Sequence, residues 1–228
     1  GIRDPLWSRG LGDVYKRQVI DDFIDLEYQE KIKTTLFGEE RPDMEQFPWY
    51  YLEDVTASGD SDSQHRPGLS HVYVDLPYED ERDLKTGTIN SDVLGGHIIS
   101  DYHELFVPLL ETVVRKLGFN QAKVLQGRSF LQFPINTDGT IDKPHIDIHG
   151  NNKFVVALYY VCDSDGDTVI YNEKVQSEKY TIKQRVTPKQ GRIVIFDGHL
   201  YHTAEQPTKS NTRSVSYTHL TLPTNREV

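Results

Sequence analysis

Cysteine is almost missing from this chain: Cys162 stands alone among 228 residues. One thiol closes no internal disulfide, so a disulfide-stapled secreted framework is excluded and a reducing, cytoplasmic setting is the plain expectation. Long apolar runs are missing too. Hydrophobic residues make up 36% of the chain and aromatic ones 11%. That is enough for a packed core, and no run approaches the roughly 20 residues of a membrane-spanning helix. Positive charge is scarce, with 25 Lys and Arg against 35 Asp and Glu and a net charge of −10. Such a balance offers no broad footprint for a phosphate backbone, so neither nucleic acid nor a membrane is expected as a partner. No signal peptide, internal repeat or low-complexity tract is visible.

A chain of this length fits one large domain. Its two ends differ in texture from the middle. Residues 1–18 hold no sustained period of 2 or 3.6, and residues 216–228 contain Pro223 and no apolar stripe. The stretches RDPLWSRGLGDVYKRQ and SYTHLTLPTNREV resemble translated adaptor read-through, which marks 1–18 as a non-native leader, 216–228 as a non-native tail, and 19–215 as the single domain. Ordinary termini are the alternative. On the first reading the last strand is cut just past Arg213.

Helices are expected first and strands second. In VIDDFIDLEYQEKIKTTLFG, Asp25 is a candidate N-cap, Leu26, Ile32 and Leu36 give an apolar stripe, and Gly38 is a stop. The polar stretch TASGDSDSQHRPG, within 53–70, reads as a loop, and HVYVDLP after it alternates as a strand does. SDYHELFVPLLETVVRKLG has helical spacing, with Pro108 kinking one helix or opening a second and Gly118 ending it. From Ala122 onward, short β segments are expected at 122–133, 144–148, 153–162, 167–172, 180–187, 192–196 and 212–215, punctuated by turn sequences. The pattern predicts a mainly β chain with flanking helices, built as a sandwich or barrel of antiparallel strands.

The chemistry concentrates in KPHIDIHG, residues 143–150. In an extended chain, His145 and Asp147 point to the same side and supply one nitrogen and one oxygen ligand. A third ligand is expected from GRIVIFDGHLYHT, where the apolar run Ile193–Phe196 ends near His199 and His202. Two His and one carboxylate form the facial triad of non-haem Fe(II) oxygenases, with positions left open on the metal. Zinc could take the same ligands, but no general base for zinc hydrolysis is evident. Arg213 follows His202 by eleven residues, and a bidentate cation there suits the distal carboxylate of a keto-acid co-substrate. His149 reads as a rim residue. DSDGDTVIYNE departs from a calcium loop, since Gly166 falls fourth and Lys174 twelfth, and reads as a hairpin.

HxD, then a distal His, then an Arg on the next strand resembles the Fe(II)/2-oxoglutarate-dependent dioxygenase superfamily. FPWYY, VALYYV, DGDTVIY and GRIVIFDGHLYHT bring the likeness closest to prolyl 4-hydroxylase-like members and to short oxygenases of phage and marine environmental sequences. The resemblance implies a double-stranded β-helix (jelly roll) with N-terminal helices packed on one side. It implies Fe(II), 2-oxoglutarate and O₂, with ascorbate as a candidate reductant, and a peptide or small-metabolite substrate with peptidyl proline as the first guess. By that resemblance His145, Asp147 and His202 bind iron, Arg213 binds the distal carboxylate, and Tyr160 lies against the co-substrate. His199 is then a supporting or solvated residue. Phe133 stands where some relatives place a Tyr against 2-oxoglutarate. Asp147 is the carboxylate that halogenating relatives lack, so hydroxylation is the implied reaction. A phage gene product acting in a bacterial cytoplasm fits the same likeness. The rivals are a non-catalytic metal-binding jelly roll and a cupin-type isomerase or hydrolase, and neither requires a buried cation at Arg213.

Overall fold

Strand β8 (Phe154–Tyr160) is buried along its whole length, and its side chains divide by parity. Phe154, Val156, Leu158 and Tyr160 join one apolar cluster, while Val155, Ala157 and Tyr159 join another. Strand β11 (Ile193–Asp197) divides in the same way, with Val194 and Phe196 on one side and Ile193 and Ile195 on the other. Period-2 alternation with both faces apolar is the signature of a sheet covered on both sides. The computed structural model describes residues 18–38, 46–55, 66–76, 82–83, 88–89, 95–135, 142–149 and 153–221.

These strands belong to a large antiparallel sheet. Its order is β1 (Gln18–Ile20), β11, β8, β13 (Arg213–Thr221), β7 (Lys123–Gln132), β3 (Gly68–Asp75) and β2 (Tyr50–Leu52), with β6 (His97–Ile98) pairing beside β3. A smaller sheet runs β10 (Ile182–Val186), β9 (Thr168–Tyr171) and β12 (His202–Ala204), and His145 bridges to His202. A two-residue pair, β4 (Arg82–Asp83) and β5 (Thr88–Ile89), stands apart. Ile170 and Val186 of the small sheet share one cluster with Val156, Tyr160, Phe196 and Val215 of the large one. That cluster is the filling between the sheets, an arrangement consistent with a jelly roll.

Helix α1 (Leu26–Phe37) starts where Asp25 accepts a hydrogen bond from the Tyr28 N–H at 2.9 Å and stops at Gly38, which takes φ 75°. An L side chain is disfavoured in that conformation, and glycine is not. Ile32 and Leu36 are buried as the spacing predicts, but Leu26 is exposed and Gln29 takes its place inward, its amide donating to the Ile24 carbonyl. Pro108 opens a second helix: a 3₁₀ turn covers Asp101–Leu105, α2 covers Val107–Lys116, and Gly118 follows at φ 79°. Ile32, Leu36, Leu109 and Val113 enter the cluster that holds Tyr73, Tyr159, Ile193 and Ile195. No helix among the described residues is long and apolar enough to cross a membrane.

Three expectations differ from the structure. The segment 144–148 is not a regular strand: His145 forms an isolated bridge and the chain bends at Asp147 and Ile148. A three-residue strand, β12, carries His202 where none was expected. The last strand, expected at 212–215, is longer: residues 216–221 continue β13 between β7 and β8 and every residue of it is buried. The physical reason is that polar residues fill this strand. Ser216 bonds to the Tyr73 hydroxyl at 2.6 Å and Thr218 and Thr221 are also buried, while Tyr217 and Leu220 enter different apolar clusters, so the strand shows no single apolar stripe. Residues 1–17, 222–228 and the loop section 56–65 with His65 lie outside the described residues.

Candidate metal centre

His145 and His202 face each other across two backbone hydrogen bonds, His145 N–H to the His202 carbonyl at 3.0 Å and His202 N–H to the His145 carbonyl at 2.9 Å. This reciprocal pairing fixes the separation of the two Cα atoms. The rings lie 4.9 Å apart between centroids. Each Nδ1 is turned to a backbone carbonyl, that of Lys143 at 3.2 Å for His145 and that of Leu200 at 3.1 Å for His202. A ring that donates through Nδ1 keeps its lone pair at Nε2, the tautomer a metal ligand needs. Phe196 meets the His202 ring edge-on at 5.1 Å and limits its rotation.

Asp147 completes the group. One of its oxygens lies 3.0 Å from His202 Nε2 and the other 3.7 Å from His145 Nε2. All three ligand atoms fall within 4.8 Å of one another. Two ligands about 2.1 Å from one ion stand about 3.0 Å apart at right angles and at most about 4.2 Å apart, so the 3.0 and 3.7 Å separations suit one transition-metal ion, and a span as wide as 4.8 Å would have to close slightly around it. The Asp147 side chain is 3% exposed, whereas His145 is 31% exposed, so the group opens on the His145 side. Burial pushes the Asp147 carboxyl up, but His202 and His219 outweigh it and hold the group well below the usual carboxylate range. Burial opposes a charge on His202, yet the Asp147 carboxylate beside it raises its pKa, while burial and the neighbouring His202 lower that of His145.

Three further side chains touch Asp147: Arg128, a pocket candidate whose direction the spacing leaves open, and Tyr217 and His219, to which the sequence assigns no role. Arg128 Nη2 donates at 3.3 Å, the Tyr217 hydroxyl donates at 3.2 Å, and His219 Nε2 lies at 3.1 Å. Tyr217 and His219 fall in the segment placed outside the domain. Arg128 shares parity with Phe130 and Gln132 on β7, a signal available in the sequence only once one inward residue of that strand was known.

Arg213 lies on the same inner face of β13 as Val215 and Tyr217, by strand parity. Its side chain crosses to the small sheet. Nε donates to the Gly166 carbonyl at 2.9 Å, Nη1 to Gln132 Oε1 at 2.7 Å, and Nη2 to Thr168 Oγ1 at 2.8 Å. The residue is 3% exposed, and among the described residues no carboxylate lies within ion-pair distance. Burial lowers its pKa accordingly. Asp142, the nearby carboxylate, is held instead by Arg66 at 2.7 Å and Gln206 at 2.8 Å. Tyr160 donates to Thr168 Oγ1 at 2.8 Å, and burial pushes its hydroxyl up to about 12. Thr168 therefore joins Tyr160 and Arg213 in one polar cluster. Gln132 and Thr168 were absent from the sequence-based site, although Gln132 is the cross-strand partner of Arg213.

The other candidates stand away from the ligand group. His199 is half-buried, with Nδ1 3.1 Å from Asp197 and its ring against Phe154. His149 is exposed. Phe133 is 40% exposed just past the end of β7, next to Gln132, which reaches Arg213 in its stead.

No protein-family model matches the sequence, and no curated protein is significantly similar to it. Solved structures are similar. One described as an oxidoreductase of the 2OG-Fe(II) oxygenase family, from Burkholderia pseudomallei, superposes with a TM-score of 0.61 at 10% identity, covering 94% of this chain and 92% of the other. The non-heme alpha-ketoglutarate-dependent epimerase SnoN from nogalamycin biosynthesis gives 0.56 at 10% identity over 90% of this chain and 78% of its own. HygX from Streptomyces hygroscopicus, solved with nickel, 2-oxoglutarate and hygromycin B bound, gives 0.51 at 11% identity over 94% and 86%. At these identities the likeness is one of fold: the chain shares the two-sheet β architecture on which those proteins are built.

Proposed function

We propose that this protein is an Fe(II)- and 2-oxoglutarate-dependent dioxygenase that hydroxylates a C–H bond and releases succinate and CO₂. The observation that carries the reading is a pairing of two features inside one β shell. Three metal-type ligands converge at His145, Asp147 and His202, and a guanidinium at Arg213 is buried with only neutral partners in hydrogen-bond reach. A buried cation without an anion is costly, and a carboxylate that enters beside it removes the cost. A structural metal site or a cupin-type isomerase gives no reason for that cation. The likeness in fold to the oxygenases above supports the same reading.

His145, Asp147 and His202 would hold Fe(II) through two Nε2 atoms and one carboxylate oxygen. When bound, iron supplies the oxygen chemistry that couples 2-oxoglutarate decarboxylation to oxidation of a substrate C–H bond, with ascorbate as a candidate reductant. Everything else falls to the chain. Nδ1 contacts to Lys143 and Leu200 keep both rings oriented, and Asp147 occupies a ligand position that a halide would need, which favours hydroxylation. Arg213 receives the distal carboxylate, preset by Gln132, Thr168 and the Gly166 carbonyl, and Tyr160 steadies Thr168 by donating to the same hydroxyl oxygen. Ile170, Phe196 and Val215 are fully or almost fully buried among these groups and exclude water. Peptidyl proline and a free small metabolite are the two substrate classes this reading allows.

Anaerobic addition of Fe(II) and 2-oxoglutarate should give a weak visible charge-transfer band, and air should then yield succinate. His202→Ala should abolish both signals and His199→Ala should spare both. If wild-type protein gives neither signal, or if His199 rather than His202 proves essential, the reading is wrong.

A further inference from the structure

Arg128 is a charged side chain that the reaction outlined above does not use. It stands on β7, pointing between the sheets beside the metal ligands, and its side chain is 26% exposed, close to the 31% of His145. Its guanidinium carbon lies 4.9 Å from the centroid of Phe130 and 4.8 Å from that of Tyr217. Ring contacts on this scale fix the plane of a guanidinium while leaving its N–H edge available. Hydrogen bonding along that edge is thin. Nη2 reaches Asp147 at 3.3 Å, the Tyr217 hydroxyl is a second polar neighbour, and Nε is buried with no hydrogen-bond partner among the described residues.

On the reading above, a divalent ion and Arg213 together balance the Asp147 carboxylate and a dianionic co-substrate. Arg128, which shares the Asp147 carboxylate with the metal position at 3.3 Å, then carries the one positive charge left over. A partly exposed cation whose hydrogen bonds are few and long takes an anion well, and carboxylate is the group whose geometry matches a guanidinium edge.

We infer that Arg128 is the substrate anchor, and that the substrate class is a small carboxylic acid, such as a free amino acid, bound by its carboxylate at Arg128 with its carbon chain directed toward the metal. The inference rests on the dioxygenase reading. It goes beyond it by preferring a free acid to an internal peptide residue, which has no carboxylate to offer at that position.

The test uses redox-inert Co(II)-loaded protein saturated with 2-oxoglutarate under nitrogen, probed by paramagnetic relaxation of ligand protons in NMR. The probes are the common L-amino acids as free acids, the same compounds as α-amides, and N-acetylated, C-amidated prolyl peptides. One or more free acids should relax strongly and the matching amides should not. With each protein saturated in Co(II) and 2-oxoglutarate, so that any change in metal affinity from losing the Asp147 contact is compensated, Arg128→Gln should weaken the free-acid signal at least tenfold and Arg128→Lys should restore part of it. Equal binding of acids and amides, binding of the capped peptides alone, an unchanged signal in Arg128→Gln, or no probe binding at all would overturn the inference. Failure of wild-type protein to take up Co(II) and 2-oxoglutarate would instead sink the dioxygenase reading on which it stands.

Discussion

Arg213 is held by three neutral oxygens, and this makes its charge useful and its removal informative. Arg213→Lys keeps a cation but loses the planar fork that meets a carboxylate at two points. Truncating one partner of a buried charge pair costs about 2–5 kcal/mol, so Arg213→Gln should raise the Kd for 2-oxoglutarate by roughly 30-fold or more. Calorimetric titration of Zn(II)-loaded protein checks this, and Arg213→Lys should fall between wild type and Gln. Tyr160→Phe should have a smaller effect. It removes a donor to Thr168 but leaves Thr168 in contact with Arg213, so a loss of about 1 kcal/mol is expected, read as a several-fold rise in the same Kd. An Arg213→Gln variant that binds 2-oxoglutarate as wild type does would separate the buried cation from the co-substrate.

Between elements, two contacts decide how the sheets and turns are joined. Gly127 sits within β7, and a Cβ there would come within 2.4 Å of the buried Tyr73 ring. Tyr73 is pinned by its hydroxyl to Ser216, so it has no room to give. Gly127→Ala should therefore destabilise the fold by about 1–3 kcal/mol, the usual cost of overpacking, measured as a lower urea midpoint. The second contact joins the turn after β8 to the turn before β13. The Asp165 carboxylate accepts bonds from the Thr208, Lys209 and Ser210 amides and from the Thr208 hydroxyl, which together depress its pKa well below 3.8 despite some desolvation. A depressed carboxyl stabilises the folded state fully above its unfolded value and loses that contribution as pH falls through the folded value. Asp165→Asn should then lower Tm by a few degrees at pH 7 and by progressively less as pH drops below about 4. Thermal scans across that range test it, and a pH-independent difference would assign the effect to shape rather than charge.

The same elements show what the sequence made legible. Helix α1, with its Asp25 cap and Gly38 stop, and strands β8 and β11 were readable because their signals are local: a cap, a period, a continuous apolar run. His145, Asp147, His202 and Arg213 were readable as residue types in order. Strand β12 was not, since three residues give no period, and the facing of His145 to His202 arises from pairing between segments more than fifty residues apart. Gln132 and Thr168 were hidden for the same reason, because their role comes from register across strands and from sheet-to-sheet contact. Leu26 misled because an apolar residue at the first position of a helix can face outward while a glutamine one turn on, with an internal partner, turns inward.

For the whole molecule, the placement of β13 bears on every other feature. It lies at the centre of the large sheet, with Tyr217 opposite Arg128 on β7 and Leu158 on β8. A chain ending at Val215 would leave the facing edges of β7 and β8 unpaired from residue 216 onward, together with a buried Tyr73 hydroxyl that has lost Ser216. Unpaired backbone groups in a sheet interior each cost on the order of a lost hydrogen bond, and several lost together exceed the roughly 5–15 kcal/mol that holds a typical domain folded. The reading that 216–228 lie outside the domain therefore meets a direct test. If it is correct, protein ending at Val215 should melt cooperatively near the temperature of the full chain. The buried position of residues 216–221 leads to the opposite expectation: the shortened chain should lose its cooperative transition and bind a hydrophobic dye, and Zn(II) should not rescue it, because Asp147 would have lost the support of Tyr217 and His219 along with the strand that carries them.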